Sequence, residues 1–221
     1  ICSGSHLDTQ PHGGKFDGIF GVLSALEVIR TLNENNIETK APLEIINWTN
    51  EEGSRFAPAM IASGVFAGLF EKEHAYSITD SEGVSLEQEL NRINYMGSEV
   101  CGDHPMGALL EAHIEQGPIL ERQHHQVGTV IGGQGQRWFD VNLLGQDSHA
   151  GSTPMAGRRD ALVVAAALIL SVQEIALLKA PFGVGTVGEM RVLPSSRNTI
   201  PGEVFLTVEF RHPDDSILSK M

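Results

Sequence analysis

Two adjacent carboxylates, Glu51 and Glu52, follow the stretch Leu43-Glu44-Ile45-Ile46-Asn47-Trp48-Thr49-Asn50. An apolar run of that length reads as a buried strand, so the pair stands where the strand runs out, and successive side chains of a pleated strand point to opposite faces. One carboxylate can then bind a cation while its neighbour moves a proton; a solvated acidic turn is the plainer reading of the dipeptide alone. His6 follows the short apolar start Ile1-Cys2 and lies two residues from Asp8. A ligating imidazole commonly has its second ring nitrogen held by a carboxylate, which makes Asp8 the natural partner of His6. Asp17 sits in Gly13-Gly14-Lys15-Phe16-Asp17-Gly18, where glycines let the backbone turn sharply and approach a ligand closely. Around His113 the alternation sets Leu110, Ala112 and Ile114 on one strand face and Glu111, His113 and Glu115 on the other. Each of these residues alone is commonplace at a turn. Together they place two imidazoles and two carboxylates on strand-end loops, a donor set that suits borderline divalent metals such as zinc.

The elements that must position them divide the chain in two. Ile19 to Leu32 is apolar over most of a helix surface, Asn33 to Asn36 ends it, and Leu43 to Trp48 follows as a strand, which argues an α/β unit with its site at the strand ends. Ser85-Leu86-Glu87-Gln88 reads as a capping box opening a short helix. Near Gln126 the character changes. Trp138 to Leu144 alternates as a strand, Arg158 to Lys179 is a long alanine- and leucine-rich helix, and strands near Gly185 to Leu193 and Glu203 to Arg211 follow. This β-α-β-β order, broken off where a second helix begins, fits a ferredoxin-like α+β domain lacking its last α-β unit.

Composition narrows the function classes. A chain of 221 residues with 41% hydrophobic content can build substantial cores. The net charge of -13 disfavours nucleic acid or an anionic membrane as partner, because both need a basic face. Cys2 and Cys101 are too few for a disulfide framework and read as reduced thiols of a cytoplasmic protein. No apolar run approaches the roughly twenty residues of a membrane span, and no signal peptide is visible.

Six strings in order, Gly4-Ser5-His6-Leu7-Asp8-Thr9-Gln10-Pro11, Gly14-Lys15-Phe16-Asp17-Gly18, Asn50-Glu51-Glu52-Gly53-Ser54-Arg55-Phe56, His113-Ile114-Glu115-Gln116-Gly117-Pro118, His149-Ala150-Gly151-Ser152-Thr153-Pro154-Met155 and Phe210-Arg211-His212-Pro213, resemble the hydantoinase/carbamoylase family of di-metal amidohydrolases. That family includes N-carbamoyl-L-amino acid hydrolases, β-ureidopropionases and allantoate amidohydrolases, and is related to aminoacylase and carboxypeptidase G type enzymes. The resemblance implies an incomplete di-metal catalytic domain over residues 1–126 and an incomplete ferredoxin-like lid and dimerisation domain over 127–221. It also implies a further stretch before His6 and a last metal histidine after the lid domain, neither of which these residues include, so that they would be inactive by themselves.

By the same resemblance, Asp17 would bridge two divalent ions, zinc or manganese, with cobalt or nickel as further candidates. His6 and His113 would complete one ion's protein ligands, Glu52 and the absent histidine the other's, and Glu51 would be the general base. His149 would stabilise the oxyanion from the partner subunit's lid in a homodimer, and Gln116, Asn198 and Arg211 would bind a small ureido acid, with Arg211 clamping its carboxylate. The bland alternatives are a turn histidine held by Asp147 and a surface arginine paired with Asp214. His12, His74, His104, His124 and His125 have no such role, and His212 does not replace the missing ligand. The implied reaction converts an N-carbamoyl amino acid to the amino acid, ammonia and carbon dioxide. Allantoate hydrolysis is the alternative reaction, and a non-catalytic dimerisation or binding module is the alternative of another class.

Overall fold

The apolar run ahead of Glu51 is a strand, shorter at both ends than its hydrophobicity suggests. The computed structural model describes residues 1–221, which form two units, Ile1–Val127 and Gly128–Met221. In the first unit, β1 (Cys2–Ser5), α1 (Ile19–Glu34) and β2 (Glu44–Asn47) make a β-α-β crossover, and the parallel sheet is completed after three short helices, α2 (Ile61–Phe66), α3 (Lys72–Ser77) and α4 (Leu86–Arg92), by β3 (Leu109–Leu110). The order β2-β1-β3 puts β1 in the middle. Gly4 is required there, because a Cβ would lie 1.9 Å from the Ile46 carbonyl oxygen and block the pairing of β1 with β2.

Phe56, Ile61, Ala75 and Leu86 form a separate small core beneath the segment that follows Glu52. Helix α4 begins with the capping box expected from its sequence: the Gln88 amide donates to Ser85 Oγ, and the Ser85 amide donates to Gln88 Oε1. The strand alternation expected through Glu115 fails. The ladder between β1 and β3 stops at Ser3 and Leu110, and without a neighbouring strand the following residues have no pleat to alternate across. Leu110 is therefore exposed, Glu111 accepts a hydrogen bond from Ser5 Oγ, and Glu115 caps α5 (Ile119–Arg122) by accepting from the Ile119 and Leu120 amides.

In the second unit, β4 (Gly135–Leu144) is followed by β5 (Ser148–His149), α6 (Ala161–Leu177), β6 (Val184–Leu193), β7 (Thr199–Ile200), β8 (Glu203–His212) and α7 (Asp215–Leu218). The main sheet is antiparallel with order β4-β8-β6, a split β-α-β in which the third long strand inserts between the first two. Helix α6 starts at Ala161 rather than Arg158. The Asp160 carboxylate accepts from the Leu162 and Val163 amides as N-cap, and the Arg158 guanidinium is committed to the carbonyls of Ala150 and Thr153.

Central strand β8 has two distinct faces. Val204, Leu206, Val208 and Phe210 are buried with Ala161, Ala165 and Val172 of α6, whereas Arg211 lies on the opposite side, as its place in the alternation predicts. No helix is long and apolar enough to cross a membrane. Leu206 is completely buried in this core. Leu206→Ala should therefore cost about 2–5 kcal/mol, read as a fall in the urea midpoint of the second unit.

Candidate metal centre

Where β1 ends, His6 emerges at the C-terminal edge of the central strand and is buried. Two residues on, the chain has turned far enough for the His6 Nδ1–H to donate to the Asp8 backbone carbonyl at 2.6 Å; the Asp8 carboxylate is more distant, 3.8 Å from that nitrogen. The expected carboxylate–imidazole hydrogen bond is thus replaced by a carbonyl–imidazole one. The Asp8 carboxylate is engaged elsewhere, its two oxygens accepting the amide hydrogens of Glu51 at 3.1 Å and Glu52 at 2.9 Å. Asp8 therefore orients His6 with its backbone and fixes the Glu51-Glu52 turn with its side chain.

That turn overturns the expectation that the two glutamates point apart. Strand β2 ends at Asn47, and Asn50 takes the left-handed conformation at φ 55°, so the glutamates leave the pleat. Buried Asn50 is locked there, its side-chain amide donating to the Phe56 carbonyl at 2.7 Å. Both carboxylates then turn the same way, each offering an oxygen within 4.8 Å of a His6 ring nitrogen. An asparagine ahead of paired carboxylates is the signal in the sequence for this left-handed backbone.

Gly18 brings the other wall in. It has φ 67°, and a Cβ there would sit 2.4 Å from His6 Nδ1, so only glycine lets the Asp17 segment lie against the imidazole. Asp17 is fully buried and neither of its oxygens has a hydrogen-bond partner. Its Oδ1 is 3.9 Å from His6 Nε2 and 3.6 Å from His113 Nε2, and these two nitrogens are 3.2 Å apart. Each histidine already donates its Nδ1–H to a carbonyl, His6 to Asp8 and His113 to Ile114. Their Nε2 atoms consequently face one another and Asp17 as acceptors, an arrangement that calls for a proton or a cation between them.

The glutamates add to that demand. The Glu52 carboxyl is pushed up to about 7, first by burial and then by the Asp17 carboxylate nearby. Burial also raises Glu51, partly offset by His6, while Asp8 and Glu111 push in the same direction as burial. Donor set, orphaned carboxylate and facing lone pairs all fit a divalent cation, and the structure groups His6, Asp17 and His113, and again His6, Glu51 and Glu52, as possible ligands.

The remaining expected positions are divided between the units. Gln116, in the first, is exposed and left-handed at φ 55°. In the second, His149 pairs with Thr199, and the Ala150 amide donates to the carbonyl of Asn198, which immediately precedes β7. Asp147 does not hold His149; it accepts from the Gly202 amide. His149 Nδ1 instead accepts from the Gly151 and Ser152 amides at 3.1 and 3.2 Å, which leaves its proton on exposed Nε2. Nor does Asp214 pair with Arg211: it caps α7, while Arg211 Nε donates to Glu209. His212 is buried and accepts the Asp214 amide hydrogen, and His104 pairs with Glu44, so neither belongs to the centre.

Residues 2–216 match the family model described as Peptidase family M20/M25/M40. The chain belongs to this family. M20 members are generally di-metal enzymes. An N-carbamoyl-L-amino-acid amidohydrolase of Rhizobium meliloti is 52% identical over 218 residues, covering 99% of this chain and 52% of that protein. An allantoate amidohydrolase of Bacillus subtilis is 33% identical over 230 residues, covering 100% of this chain and 54% of the relative. A crystal structure of a hydantoinase/carbamoylase family amidase from Burkholderia vietnamiensis superposes with a TM-score of 0.96 at 55% identity, covering 100% of this chain and 53% of that one. The chain thus spans about half the length of the M20 relatives it matches.

Because cations bind the deprotonated ligands, affinity for manganese or zinc should rise as pH climbs through about 7, the value for Glu52, and level off above it, with proton release visible by calorimetry in two buffers. The sign for the metal-free protein is opposite. A carboxyl raised from 4.5 to about 7 favours the folded state below 4.5, and that contribution is lost as pH rises through 7, so melting temperature in chelator should fall across this window. Asp8→Ala releases both glutamate amides and should weaken metal binding about 10- to 100-fold in the same titration.

Proposed function

We propose that the full-length protein is a metal-dependent amidohydrolase that cleaves the ureido C–N bond of N-carbamoyl amino acids. The observation that carries this reading is the buried Asp17, partnerless between two imidazole acceptors and beside the two raised glutamates. The N-carbamoyl-L-amino-acid amidohydrolase relative at 52% identity supports the substrate class over the allantoate relative at 33%.

His6, His113, Asp17 and Glu52 would hold the ions; zinc and manganese suit this mixed nitrogen and oxygen set. Such ions, when bound, act as Lewis acids on the carbonyl and lower the pKa of water towards neutrality. The chain's own groups manage the protons and the substrate. Glu51, raised by burial, takes a proton from the attacking water and delivers it to the leaving amino nitrogen. Water adds to the ureido carbon, the bond to the amino acid nitrogen breaks, and the carbamic acid released decomposes to ammonia and carbon dioxide. His149, with Nε2–H outward, donates to the oxygen that gains charge as the carbonyl carbon becomes tetrahedral. Gln116 and Asn198 bind the substrate's polar groups, and Arg211 takes its carboxylate.

The second unit is read as a lid and dimerisation domain of ferredoxin-like type: its β4-β8-β6 order is that of a split β-α-β. In this reading the protein is a cytoplasmic homodimer and His149 serves the partner subunit's substrate.

A panel of N-carbamoyl α-amino acids, N-carbamoyl-β-alanine and allantoate, assayed with the full-length protein and added manganese or zinc, tests the function. Fastest turnover of the first class is expected. Preference for allantoate would move the assignment to that branch, and no turnover of any, with metal bound, would favour a binding module. Glu51→Gln should keep metal content but lose about 10²- to 10⁴-fold in kcat, whereas Glu52→Gln should lose metal itself. Metal analysis showing the reverse pattern would exchange the two roles.

A further inference from the structure

On the face of the second sheet turned away from α6, Glu209 and Arg211 stand two residues apart on β8, and Trp138 of β4 is directly opposite Glu209 in the ladder. One carboxylate oxygen, Glu209 Oε1, accepts both the Trp138 Nε1–H at 3.0 Å and the Arg211 Nε–H. We propose that Glu209, held by Trp138, is a positioning residue that fixes which edge of the Arg211 guanidinium is offered to the substrate carboxylate. The inference rests on the reading of Arg211 as the carboxylate clamp and adds to it the residue that orients the clamp.

A guanidinium can grip a carboxylate through Nε and one Nη, or end-on through both Nη groups. With Nε already engaged by Glu209, the end-on fork remains. An untethered arginine spreads its head over many rotamers, and ordering it on binding weakens the complex. The tether removes that ordering cost.

A generic surface ion pair is the competing reading, and the same face supplies the control. Glu189 and Arg191 of β6 also stand two apart and pair at 2.9 Å, but both side chains are more than half exposed and the Arg191 head lies over the Phe205 ring. The Glu209 side chain is only 24% exposed and takes its second donor from a tryptophan across the ladder, a constraint the Glu189 pair lacks.

The test is a double-mutant cycle in the full-length enzyme, with kcat and KM measured for an N-carbamoyl amino acid and for its carboxamide analogue. Arg211→Ala should raise KM for the acid by a much larger factor than for the carboxamide. Glu209→Ala should raise the same KM about three- to thirtyfold with kcat within about twofold, and should add nothing in the Arg211→Ala background. Glu209→Gln, whose amide oxygen still accepts both N–H groups, should recover most of the loss, and that recovery excludes misfolding as the cause. If Arg211→Ala raises KM but Glu209→Ala does not, or costs as much without Arg211 as with it, the positioning role is overturned and the clamp stands. If Arg211→Ala leaves KM for the acid unchanged, the clamp reading falls and this proposal with it.

Discussion

A buried carboxylate without a donor is among the least tolerable groups in a folded chain, and Asp17 is such a group. The surroundings make matters worse rather than better. Two imidazoles turn their unprotonated nitrogens towards it because their other nitrogens are committed to backbone carbonyls, and two further carboxylates converge from the end of β2. Positive charge placed among these acceptors relieves all of them together. The first unit's organisation follows from that requirement, with a parallel sheet whose C-terminal edge delivers His6, and loops that bring Asp17, the glutamates and His113 against it.

Backbone geometry, more than side-chain chemistry, keeps the acceptors together. Gly18 lets its segment lie against the His6 ring, Asn50 swings the glutamates out of the pleat, and the Asp8 carboxylate ties down the two amides that follow. Arg55 adds a peripheral anchor. Its guanidinium reaches Asp80 and Glu89, tying the loop after the glutamates to α4, and the paired arginines hold Glu89 at about 2. Such exposed pairs contribute little stability singly, but three charges converging on one loop restrict where it can go.

The second unit solves a different problem. Its central strand buries one face against α6 and leaves the other polar, so that a rigid, well-packed element carries Arg211 in a fixed place. The short β5–β7 pairing does the same for His149, whose tautomer is set by two backbone amides and not by a carboxylate. In both cases a polar side chain is held by hydrogen bonds from its own neighbourhood.

The start of α1, the capping box at Ser85 that opens α4 and the two-faced character of β8 were legible in the sequence, because each rests on local rules: periodicity of 3.6 or 2 and short-range hydrogen bonding. What failed were readings that carried a local rule beyond its element. The glutamates do not alternate because the strand stops at Asn47, and residues after Leu110 do not alternate because no strand continues beside them. Asp8 prefers two amides forty-odd positions away to the imidazole two residues back, and Glu209, unmarked in the sequence, accepts a hydrogen bond from a tryptophan on another strand. Residue types and their spacing named the candidate groups. Which way they point, and which partner each one chooses, was decided only by tertiary structure, since those choices depend on distances between segments far apart in the chain.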